Sequence, residues 1–131
     1  MKRVTVIIIS LLLVVLPALS SGKTTIKSGE IWKDNRGEHI NAHGGGVLKH
    51  GNTYYWYGEH KGEQSSAAFV GVTCYSSKNL RDWRYEGVAL SVVDEKGHDL
   101  ESGCTLERPK VIYNKVTKKF VMWFHLDIKG E

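Results

Sequence analysis

Cysteine and proline are scarce in this chain, and no apolar run long enough to cross a membrane occurs anywhere in it. The two cysteines, Cys74 and Cys104, are too few and too far apart for a zinc site, which needs more ligands at tighter spacing. Separation in sequence does not establish a disulfide, so pairing stays open, with two buried thiols favoured. Lysine and arginine form no block. Lys2 and Arg3 stand in the leader described below, and removing them from 18 basic residues leaves 16 against 14 acidic ones. That near-neutral balance speaks against a nucleic-acid partner. No stretch of residues 21–131 has the 3.6-residue periodicity of an amphipathic helix. Charged residues at 24%, with no low-complexity tail, fit a globular domain.

The one uninterrupted apolar run is "VTVIIISLLLVVL", residues 4–16. It is shorter than the roughly 17–25 residues of a membrane-spanning helix. Lys2 and Arg3 precede it, Pro17 ends it, and "ALSS" offers small residues for cleavage after Ser20. Residues 1–20 therefore read as a secretory signal, with an uncleaved anchor as the alternative. No cysteine follows the run, which argues against a lipid anchor. The protein is expected to be exported, to the periplasm or outside the cell, and free of the membrane after cleavage.

The remaining residues repeat with period two. "GVLKHGNTYYWYGEH", residues 46–60, is an apolar run, a Gly51-Asn52 turn and an aromatic strand, which together predict a hairpin. "FVGVTCYSS", residues 69–77, is a third strand rich in β-branched and aromatic residues. Residues 79–90 open with a turn and continue into a fourth. After a polar loop over residues 91–106, "KVIYNKVTKKFVMWFHLD" restarts the hairpin pattern at residue 110. Val47-Leu48 matches Val111-Ile112 at an offset of 64, and Tyr54-Tyr55-Trp56 matches Phe120-Val121-Met122 at an offset of 66. The two-residue drift fits in a longer second turn.

A hairpin repeating at this interval predicts the blades of a propeller, whose four-stranded sheets bury both faces on their neighbours. Burial of both faces accounts for Tyr54, Tyr55, Trp56 and Tyr57 being aromatic on both sides of one strand. A sheet with one wet face alternates instead. The chain holds one blade and half of another, so it is expected to be part of a longer product. A small sandwich of six or seven strands is the competing architecture.

Three stretches carry candidate chemistry. "ERPKVIYN" sets Glu107 and Arg108 before Pro109. By itself this is either a Glu–Arg ion pair at a strand end or a carboxylate at a site rim, with Arg108 able to hold a carboxylate or a sugar hydroxyl through its planar fork. "NAHGGGV" sets His43 before three glycines, which fit close backbone packing or a bulge. A phosphate loop is excluded, since no GxxxxGK[ST] pattern occurs. "YYWYGEHKG" ends its strand on Glu59, beside aromatics that serve either a sugar platform or the core. Asp34, in the turn-like "KDNRG", reads as structural. His39 and His43 have i, i+4 spacing, but the glycines argue against the helix that metal binding would need. "SSKNLRDW" reads as a capped turn in which Leu80 and Trp83 pack. His125 and Asp127 stand in the restarted hairpin without a feature that assigns them a role.

"NAHGGGVLKHGNTYYWYGEHKG", "YSSKNLRDWRYEGVAL" and "ERPKVIYNKVTKKFVMWFHLD", together and in this order, resemble the N-terminal part of glycoside hydrolase family 43. The likeness covers residues 29–130 and is nearest to the exo-β-1,3-galactanase-like branch. It implies a five-bladed, all-β propeller of which residues 21–131 supply blade one and part of blade two. It also implies hydrolysis with inversion, which needs a carboxylic acid and a base roughly 6.5–9.5 Å apart. Under the resemblance, Glu107 is the third carboxylate, which orients the sugar and keeps the acid protonated. His43, Glu59 and Arg108 become candidate substrate-binding residues. The base aspartate usual in the family has no counterpart between Ala42 and Leu48, as in the galactanase-like branch. The general acid is expected beyond Glu131, so this stretch alone should not catalyse. The implied partner is a galactan or arabinogalactan oligo- or polysaccharide. No cofactor is required, and a structural calcium at the propeller axis stays open. Arabinofuranosidase, xylosidase or galactofuranosidase activity, and a non-catalytic glycan-binding propeller, are the alternative readings.

Overall fold

The computed structural model describes residues 25–62 and 66–129, so the expected secretory signal lies outside the described residues. Six antiparallel strands follow in chain order: β1 (His43–His50), β2 (Thr53–Glu59), β3 (Gly71–Ser77), β4 (Arg84–Ser91), β5 (Thr105–Asn114) and β6 (Lys119–Asp127). The first four form one sheet in the order β1-β2-β3-β4, and β5 and β6 form a second, two-stranded one. The described residues contain no helix. The hairpins therefore fall where the period-two pattern predicts them, with shifted ends. β3 starts at Gly71 rather than residue 69. β4 starts at Arg84, because residues 79–82 are a turn in which Ser77 Oγ accepts the Leu80 N–H at 2.8 Å and Asn79 Oδ1 accepts the Asp82 N–H at 2.9 Å.

The four-stranded sheet is covered on both faces, as the aromatic strand implies. Along β2, Tyr54 and Trp56 point to a core of Ile40, Ala42, Tyr75 and Trp83, over which Trp32, Leu80 and Tyr85 close. Tyr57 points the other way, into a core of Ala68, Val72, Cys104 and Leu106. Burying a Val or Leu side chain completely contributes about 1.5–3 kcal/mol, and Val72 and Leu106 are both in that state. Met122, Phe124 and Leu126 of β6 pack on this second core, so it joins the two sheets. Cys74 and Cys104 are free and buried. Burial pushes the Cys74 thiol up to about 11, which leaves it inert at neutral pH.

The segment before β1 covers the first face and is pinned by Asp34. Its buried carboxylate accepts from Arg36 Nε at 2.9 Å and from the Arg36 and Glu38 backbone N–H groups. Burial alone would raise this carboxyl; the Arg36 guanidinium and the two backbone donors outweigh it and hold the carboxyl below the usual range. Asp34 is the structural turn residue read from the sequence. The Arg36 guanidinium in turn lies 3.7 Å over the Tyr85 ring.

The hairpin repeat is present in the registers. Val47 pairs with Trp56 and Leu48 with Tyr55, as Val111 pairs with Met122 and Ile112 with Val121. The turns differ. Gly51 alone takes positive φ in the first, which a two-residue turn with glycine leading permits. The second is longer, and Asn114 Oδ1 accepts the Val116 and Thr117 N–H groups in it, each at 3.0 Å.

Candidate active site

The site grows from a bulge that occurs twice. In β1 the register slips between His43, paired with Glu59, and Gly46, paired with Tyr57. In β5 it slips between Glu107, paired with His125, and Lys110, paired with Trp123. These positions are related by the same offsets of 64 and 66 as the rest of the repeat. The bulge residue takes φ of 54° at Gly44 and 55° at Arg108. At Gly44 an added Cβ would lie 2.6 Å from Glu59 Oε1, so the carboxylate would have to move aside to admit it. Gly45 is tighter still, since its Cβ would drive into the Tyr57 carbonyl oxygen. The glycine run is thus the packing-and-bulge device expected of it.

One expectation at "ERPKVIYN" is corrected by this geometry. Glu107 was placed just ahead of a strand that begins at residue 110, yet it lies inside β5, which begins at Thr105. Pro109 is tolerated there because the bulge leaves it outside the hydrogen-bonded ladder. A residue before proline is ordinarily pushed to extended backbone, but Arg108 takes the left-handed conformation. The bulge imposes it at a cost of about 1–2 kcal/mol for a residue with a Cβ.

The bulges bring the candidate carboxylates together. Glu59 is buried at the end of β2, and Glu107 is mostly buried on β5. Lys61 lies between them, its Nζ 3.6 Å from Glu59 Oε2 and 3.4 Å from Glu107 Oε1. Burial pushes the Glu59 carboxyl up from the ordinary glutamate range; Lys61 and His43 pull against this, and the charge of Glu107 adds to it. The Arg108 guanidinium is largely exposed and stands 3.7 Å from Glu107 Oε2. His43 is exposed at the end of β1, opposite Glu59. All four candidate residues therefore converge on one end of the facing strands β1 and β5.

The aromatics divide differently. Trp56 leaves the face that carries Glu59 and packs edge-on against Trp83 and Trp32, with centroids 5.3 and 6.2 Å apart. Tyr57 is taken up by the core between the sheets. Neither forms a platform beside Glu59. His125 lies opposite Glu107 and makes a 3.1 Å contact with Asp127.

Sequence reasoning missed three contributors. Lys61 bridges the carboxylates. Asn41 holds Lys61 by both of its backbone groups, accepting from its N–H at 2.9 Å and donating to its carbonyl at 2.8 Å. Lys110 ties the two bulges together by donating to the carbonyls of Gly44, at 3.0 Å, and Gly45. The signal for Lys110 was present: the 64-residue offset sets it on Gly46, at the closing position of the same bulge.

No protein-family model matches the sequence, and no curated protein matches it. Solved structures do. A β-1,3-galactosidase of glycoside hydrolase family 43, solved with galactodeoxynojirimycin, superimposes with a TM-score of 0.79 at 55% identity, over 81% of this chain and 31% of that one. An exo-β-1,3-galactanase from Clostridium thermocellum gives 0.73 at 45% identity, over 83% and 23%. The exo-β-1,3-galactanase of Phanerochaete chrysosporium, solved with β-1,3-galactotriose, gives 0.73 at 41% identity, over 79% and 24%. The chain thus spans less than a third of the length of each. The fold is that of a five-bladed β-propeller, of which these strands are one blade and half of the next. The chain belongs to glycoside hydrolase family 43, alongside its exo-β-1,3-galactosidases and galactanases.

Proposed function

We propose that the chain is the exported N-terminal part of a longer inverting glycoside hydrolase that releases galactose from the ends of β-1,3-linked galactan, the kind found in plant side chains. The observation that carries this reading is the convergence of Glu107, Glu59, His43 and Arg108 at the paired bulges, in a chain whose relatives are named for β-1,3-linked galactose. Glu107 is the sugar-orienting carboxylate. Its negative charge favours the protonated form of a neighbouring carboxylic acid, and that general acid comes from a later blade. Arg108 and His43 supply hydrogen-bond donors to sugar hydroxyls. Water is activated without a base aspartate on the first blade, since no Asp stands between Ala42 and Leu48.

The test is product analysis with the full-length protein on β-1,3-galactan and β-1,3-galactotriose. Galactose should appear as the product, initially as the α-anomer by NMR. Glu107→Gln should lower kcat by about 10²-fold or more, in the range of lost general acid–base assistance. Release of arabinose from an arabinoside, with no galactose from galactan, would move the substrate elsewhere in the family.

A further inference from the structure

We infer that Lys61 is a positioning residue of this site, a cation strung between Glu59 and Glu107 and held there by Asn41. The inference rests on the glycosidase reading and deepens it. Among the described residues, Lys61 is the one cation within 4 Å of both carboxylates. Two buried or half-buried carboxylates facing each other favour protonation of one of them. An ammonium between them removes that penalty and sets the distance each keeps from the other.

A surface lysine that meets two acids is ordinarily a loose ion pair of small consequence. Lys61 differs in how its backbone is fixed. The Asn41 carboxamide engages both main-chain polar groups of Lys61, as a paired strand would. Asn41 is itself anchored on β3. Its carbonyl accepts the buried Thr73 hydroxyl, and its N–H donates to the Tyr75 hydroxyl at 3.1 Å. The lysine stem therefore starts from a point referred to the centre of the first sheet, while Glu107 comes from the second. The bridge spans the two sheets where their bulges meet.

The other charged groups around the bridge are accounted for. His43 faces Glu59 from β1, and His125 faces Glu107 from β6. Arg108 approaches Glu107 from the exposed side. The Lys110 ammonium is occupied by the Gly44 and Gly45 carbonyls. No carboxylate outside the pair lies within 4 Å of the Lys61 ammonium among the described residues.

The experiment compares Lys61→Met and Lys61→Arg with wild type in the full-length protein. Three measurements are made on each: the thermal midpoint, the pH profile of kcat/KM on β-1,3-galactotriose, and the ¹³C titration of the glutamate carboxyls. Lys61→Met should melt within a few degrees of wild type, lose at least tenfold in kcat/KM, and have its acid limb moved to higher pH, since a lost cation disfavours the carboxylate form. Its Glu59 and Glu107 carboxyl signals should titrate at higher pH. Lys61→Arg should recover most of the rate and both titrations. If Lys61→Met unfolds, Lys61→Gln, a shorter neutral side chain that keeps a hydrogen-bond donor, carries the same expectations. A wild-type rate and pH profile in a folded neutral variant, or unchanged carboxyl titrations, overturns the inference. If wild type releases no galactose at all, the substrate reading fails, and the carboxyl titrations alone decide the role of Lys61.

Discussion

The β1–β2 and β5–β6 hairpins have one backbone plan and opposite chemical loads. Each bends its first strand at the same register position through a residue in the left-handed region. In the first hairpin the bulge is His-Gly-Gly-Gly and the carboxylate, Glu59, stands on the second strand. In the second it is Glu-Arg-Pro-Lys, and the carboxylate, Glu107, stands on the first strand with a histidine opposite. The pairing of histidine with glutamate is conserved between the hairpins while the strands exchange roles. A repeated bulge thus fixes where side chains are delivered, and the residues placed on it decide what is delivered. The glycines let one hairpin approach closely, and the bulkier set makes the other reach across.

The largest way to break this comparison is to give the first bulge a side chain. Gly45→Ala pushes a Cβ into the Tyr57 carbonyl and should cost about 3 kcal/mol, the upper end of ordinary overpacking, read as a lowered urea midpoint. The counterpart experiment makes the second bulge resemble the first. Arg108→Gly releases the left-handed strain of about 1–2 kcal/mol and gives back about 0.4–1 kcal/mol in unfolded-chain entropy. A net gain of between zero and about 1.6 kcal/mol in denaturant unfolding is expected, together with a higher KM for galactan. The smallest effect tests the exchanged carboxylates. The folded-state pKa of Glu59 is raised, so its ionised form is the one that folding disfavours. Glu59→Gln should therefore improve in stability relative to wild type as pH rises from about 4 to 7, and a difference that narrows over that window would contradict the burial argument.

Much of this arrangement was legible from residue order. Aromatics on both sides of residues 54–57 required two buried faces, and Tyr54 and Tyr57 do enter different cores. The 64- and 66-residue offsets described real registers. Glu107, Glu59, His43 and Arg108 were chosen from their stretches and are found together. The strand containing Glu107 was drawn too short, because proline normally ends pairing and a bulge that exempts it leaves no local mark. Lys61 and Asn41 were passed over for a different reason. A lysine in a polar stretch is by default solvated, and only the fold sets it between acids on separate sheets. Trp56 was considered beside Glu59, yet strand alternation alone separates residues 56 and 59 onto opposite faces.

The tie from Lys110 to the carbonyls of Gly44 and Gly45 spans more than sixty residues of chain. Contacts so distant form after local hairpins, since the intervening loop must first be closed. During synthesis the first sheet can pair its strands while Lys110 is still to be added. Glu59 then waits at its end without Glu107. The order of translation thus becomes an order of assembly, in which the acidic pair is completed only when the second hairpin docks.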